Sequence, residues 1–60
     1  MTNYRYNITI TEDGFTYTGN YYFEDHFEAD DFLTANDHNG AESIINCIEE
    51  ITHEEFIRHL

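Results

Sequence analysis

The chain has 60 residues, with 13 Asp plus Glu against two Lys plus Arg and a formal net charge of −11. So short a chain is one domain at most, residues 1–60, and it buries only roughly 60% of the surface its unfolded form exposes, so a disulfide, a metal or oligomerisation is expected to help it fold. A lone cysteine, Cys47, excludes an internal disulfide. No apolar run is long enough to span a bilayer and Met1–Arg5 lacks the pattern of a signal peptide, so the expectation is a reduced, cytoplasmic and dimeric protein.

The charge excludes partners as well. Binding phosphates requires cations that displace counterions, and with only Arg5 and Arg58 present, nucleic acid is ruled out as a direct partner and an anionic membrane is disfavoured. Five Tyr, five Phe and seven Ile nonetheless give the chain something to bury, so it is expected to fold. A folded, strongly acidic surface suits a basic groove on another protein, and such grooves most often belong to proteins that bind nucleic acid.

In chain order, Tyr4, Tyr6, Ile8 and Ile10 alternate with polar residues, the period of a half-buried strand. Asp13-Gly14 suits a type I′ turn, which predicts a hairpin of strands at about 3–11 and 15–23. That turn sets Tyr4 opposite Phe23, Tyr6 opposite Tyr21, Ile8 opposite Gly19 and Ile10 opposite Tyr17 on one apolar face. Gly19 leaves a gap there, which a bulge or the close approach of another element would explain. Asp25 and Glu28 fit a capping box, so a short helix is expected at about 26–36, with Ala29, Phe32 and Leu33 inward and Glu28, Asp30 and Asp31 toward solvent. Asn36–Gly40 reads as a turn or loop.

The segment 42–51 supports two readings. Ala41, Ile44, Ile45, Ile48 and Ile51 fall on a helical stripe, whereas the Ile-rich composition, and the need of a lone hairpin for a third strand, favour β structure. Thr52–Glu55 is a second capping-box match, consistent with a terminal helix at 53–60. The fold class expected is therefore α+β.

Chemistry has little support. His53 and His59 are six residues apart and cannot share a helical face, and a calcium loop built on Gly40 would put Ala35 and Asn46 where carboxylates are needed, so no metal and no cofactor are expected. Cys47 among isoleucines reads as a small core residue rather than a nucleophile, and the carboxylate run reads as a solvated face, so no catalytic residue is assigned. Thirteen carboxylates exceed what solubility requires and cost stability by mutual repulsion, which a basic, DNA-shaped groove would relieve.

Asp13-Gly14, Tyr21-Tyr22-Phe23, Asp31-Phe32 and Asn39-Gly40-Ala41-Glu42-Ser43-Ile44-Ile45 occur in an order that resembles the small uracil-DNA glycosylase inhibitors of certain Bacillus phages. The resemblance covers about residues 4–51 with small insertions. It implies a homodimer that mimics DNA, occludes the groove of host uracil-DNA glycosylase, and captures in a hydrophobic recess the apolar side chain that the enzyme pushes into the duplex while flipping uracil. It implies that Phe32 helps line that recess and that 42–51 is a third strand contributing Ile44, Ile45, Ile48 and Ile51 to the dimer. Tyr22 falls where the family has an acidic residue and Asp37 near a family Tyr; both are counted among the partner-binding candidates. Glu24, Asp25, Glu28, Asp30 and Asp31 join them by position and charge. Two other readings stay open, DNA mimicry aimed at a restriction enzyme, CRISPR effector or nucleoid protein, and an adaptor whose charge serves only solubility.

Overall fold

A computed structural model describes residues 2–60. The chain runs through β1 (Asn3–Glu12), β2 (Phe15–Phe23), α1 (His26–His38), β3 (Glu42–Ile51) and α2 (His53–Arg58). The strands form one antiparallel sheet in the order β2-β1-β3, so the chain is α+β and the segment left between two readings is a strand.

The β1–β2 hairpin has the register that its turn and its apolar alternation require, from Tyr4 opposite Phe23 to Ile10 opposite Tyr17. Asp13 and Gly14 both take positive φ, 51° and 82°, as a type I′ turn demands. The gap at Gly19 is filled neither by a bulge nor by another element. The ladder runs unbroken through Ile8 and Gly19, and the ring of Tyr21, two residues along the same strand, lies over the glycine at 3.7 Å from where a Cβ would stand.

β3 pairs antiparallel with the other side of β1, but its register shifts between Asn7 and Ile8, where Asn46 is the extra residue. The bulge explains the three-residue spacing of Ile45 and Ile48 within the stripe, whereas Ile44 and Ile51 pair with Thr9 and Asn3 on the other face. Without it Ile45 and Ile48 would point to opposite faces; with it they sit opposite Ile8 and Tyr6 on the same face. Asn46 anchors the irregularity by donating from Nδ2 to Asn7 Oδ1 at 3.0 Å and to Thr9 Oγ1 at 2.8 Å.

α1 begins at an N-cap Asp25, whose carboxylate accepts from the Glu28 amide at 2.9 Å, while Glu28 reaches back to the Glu24 amide at 3.4 Å. The helix runs two residues past the expected end, because Asp37 and His38 remain helical and the turn comes at Gly40. There the Ala41 amide bonds the Asn36 carbonyl at 2.9 Å and the Gly40 amide bonds that of Asp37 at 3.0 Å, a Schellman closure that Gly40 permits with φ 85°. α2 is shorter than expected and ends at Arg58, with Thr52 Oγ1 accepting from the Glu55 amide at 3.2 Å.

The helices lie on opposite faces of the sheet. α1 covers one face and closes the main core of Tyr6, Ile8, Ile10, Phe23, Ala29 and Ala41, against which Tyr4, Tyr21, Phe32 and Leu33 pack. Burying a side chain such as Ile8, which has no exposed surface, is worth about 1.5–3 kcal/mol. α2 covers one end of the other face, where Phe56 and Ile51 are buried beside a fully buried Asn3. The remainder of that face is open and mostly polar, with cross-strand pairs Thr9–Thr18 at 2.8 Å, Thr11–Thr16 at 3.1 Å and Asn7–Asn20 at 3.0 Å, and with Ile44 exposed opposite Thr9.

Candidate protein-docking surface

Three features of the protomer surface bear on binding: the outer face of α1, the open edge of β3, and the distribution of the two cations. Glu24, Asp25, Glu28, Asp30, Asp31 and Asp37 are all exposed, and they follow one another along the start and the outer face of α1. Carboxylates in the first turn are favoured by the positive end of the helix dipole, so Glu28 and the N-cap Asp25 stabilise the element that displays the rest.

Neither cation relieves this surface. Arg5 projects from the face that α2 covers, where its guanidinium donates to Glu49 Oε2 at 2.6 Å and lies 3.8 Å from Glu55. The hydrogen bond and charge of Glu49 raise the Arg5 pKa above its already high ordinary value. Arg58 pairs with Glu54 within α2 at 3.7 Å. The chain is thus electrically lopsided, with both Arg ion pairs on one side of the sheet and a helix rich in carboxylates and free of Lys and Arg on the other.

The sequence candidates do not all converge. Phe32 is half-buried within the protomer, its ring 5.1 Å from that of Tyr21 and 5.5 Å from that of Phe23. Among the described residues no cleft or cavity opens on the protomer, so Phe32 lines no recess within a single chain. Tyr22 lies on the other side of the sheet, stacked on His59 with ring centroids 4.1 Å apart and planes within 6°. The structure therefore separates Tyr22 from Phe32 and the acidic helix.

On β3, Ile44, Ile45 and Ile48 are 61%, 41% and 46% exposed on an edge strand, whereas Ile51 is only 9% exposed and is spent inside the protomer. Ile51 is thereby removed from the expected interface set. Cys47 is exposed on the same edge strand rather than buried as its isoleucine neighbours suggested, because among the described residues no strand pairs with the outer edge of β3. The described residues bring no three metal-ligating side chains together, and none of their helices is long and apolar enough to cross a membrane.

The sequence reading leaves Phe27 undecided between a buried and an exposed position. Phe27 is 81% exposed and points away from the sheet. Helical phase is the signal that finds it: at about 100° per residue, a position two before the inward-facing Ala29 lies on the far side of the helix.

Comparison with protein families, with curated proteins and with solved structures finds no match to this chain. The functional reading therefore rests on the geometry and charge described above together with the order of motifs in the sequence.

Proposed function

We propose that the protein is a DNA-mimic inhibitor that occupies the DNA-binding groove of host uracil-DNA glycosylase in the host cytoplasm. The observation that carries the reading is the run of six exposed carboxylates from Glu24 to Asp37, along the start and the outside of α1, with both Arg side chains paired elsewhere. Carboxylates fixed on a helix present negative charge where the groove otherwise receives phosphates, and the complementary potential accelerates association and rejects neutral partners.

The acting unit in this reading is a homodimer. β3 offers an unpaired strand edge carrying exposed Ile44, Ile45 and Ile48, and an apolar edge of this kind favours association with another chain. A second protomer would supply the other wall of the recess that Phe32 alone does not form. The inhibitor does no chemistry: it competes by occupancy.

The association rate with purified glycosylase, measured by stopped flow against ionic strength, tests the charge argument. Asp30→Asn combined with Asp31→Asn is expected to slow association about tenfold at low salt and to flatten its salt dependence. An on-rate unchanged by the double substitution would remove α1 from the mimicry.

A further inference from the structure

We propose that Phe27 is the aromatic anchor of the docking face, the side chain that enters an apolar recess in the basic groove of the partner while the surrounding carboxylates set the orientation. The inference rests on the inhibitor reading and deepens it. It moves the energetic centre of the contact from Phe32, which is engaged by Tyr21 and Phe23 inside the protomer, to the outside of α1.

Isolated exposed apolar residues are common and carry no meaning by themselves. The position of Phe27 separates it from the others. Phe15 and Tyr17 lie at the hairpin end of β2, Leu60 follows α2, Ile57 lies on α2, and Ile44, Ile45 and Ile48 lie on the β3 edge. Phe27 alone stands within the anionic face. On a helix its neighbours are the residues three and four positions on, here Asp30 and Asp31, with side-chain bases about 5–6 Å away. Glu24, Asp25 and Glu28 lie on the chain to either side. An aromatic side chain ringed by polar groups that stay solvated at the edge is the anatomy of an interface hot spot.

Charge complementarity selects the occupant. The face carries six carboxylates and no Lys or Arg, so a second copy of this chain would meet it with like charge and is disfavoured, whereas a groove lined with Lys and Arg would meet it favourably. A groove that accepts extruded bases also holds apolar and aromatic walls on which a flat ring can stack. The partner is therefore a basic, nucleic-acid-binding protein surface with an apolar recess at its centre.

The test measures equilibrium affinity for purified bacterial uracil-DNA glycosylase with the unaltered protein, with Phe27→Ala and with Ile57→Ala. Phe27→Ala is expected to raise Kd about 30-fold or more, chiefly through faster dissociation, with an unchanged melting temperature because the ring has no role in the core. Ile57→Ala, which trims an exposed apolar side chain on α2, is expected to leave Kd unchanged. A complex that Phe27→Ala weakens less than about threefold, or that Ile57→Ala weakens equally, would overturn the anchor assignment and leave the inhibitor reading standing. Failure of the unaltered protein to bind would overturn both.

Discussion

Asn3 and His53 are joined across fifty positions of sequence by a hydrogen bond of 3.1 Å between the Asn3 side-chain oxygen and His53 Nδ1. Asn3 is fully buried and its Nδ2 also donates to the Glu24 carbonyl at 3.4 Å, so that oxygen can only accept and the imidazole must donate from Nδ1. One buried amide thereby ties the first residue of β1 both to the approach to α1 and to the start of α2. Asn3→Ala is expected to cost about 1–3 kcal/mol in urea unfolding, and to speed amide exchange in α2 more than in α1.

Two glycines isolate the energy of backbone conformation from that of contact. Gly14 and Gly40 have φ of 82° and 85°, and a Cβ added at either would meet nothing within 4 Å. Gly14→Ala and Gly40→Ala should therefore each destabilise by about 1–2 kcal/mol through left-handed strain alone. The loss should be visible as lower urea midpoints with unchanged m-values.

Tyr6 links stability to alkaline pH. Its hydroxyl hydrogen-bonds to His26 Nδ1, and burial first, then the nearby charge of Asp30, pushes its pKa above the ordinary value. Burial and Glu12 push that of Tyr17 in the same direction. A phenol whose pKa is raised by folding contributes stability that is complete below its unfolded pKa of about 10 and is lost as pH rises through the folded value. Unfolding free energy is thus expected to fall above about pH 10, and Tyr6→Phe should reduce the slope of that fall while costing about 1 kcal/mol at neutral pH.

The β3 edge gives a prediction about assembly. Ile45 and Ile48 lie opposite Ile8 and Tyr6 on the α1 face yet remain 41% and 46% exposed. Ile45→Lys with Ile48→Lys places charge on an unpaired edge, a means by which natural edge strands prevent association. Sedimentation velocity is expected to change from dimer for the unaltered protein to monomer for the double variant, with the circular dichroism spectrum retained.

The hairpin was legible because two independent signals, the Asp13-Gly14 turn and the alternation from Tyr4 to Ile10, demand the same register. β3 was ambiguous for a physical reason. The bulge at Asn46 shifts the side-chain phase by one residue, which turns the alternation of a strand into the three-residue spacing of Ile45 and Ile48 that reads as a helix. The end of α1 was missed because Asn36–Gly40 has loop composition while its hydrogen bonds close a helix C-terminus. Among the candidate residues, the exposure of the carboxylates followed from helical phase, and the phase of Phe27 was equally available. The partition of Phe32, Tyr22, Ile51 and Cys47 was not, because it depends on the order of strands and on which face each helix covers.

Uracil excision by bacterial uracil-DNA glycosylase, titrated with this protein at fixed uracil-containing DNA and paired with size-exclusion chromatography of the mixture, tests the central claim most directly. The account predicts inhibition that is complete at a fixed stoichiometry and a stable complex that elutes ahead of either component. Full excision at micromolar protein with no complex would contradict it.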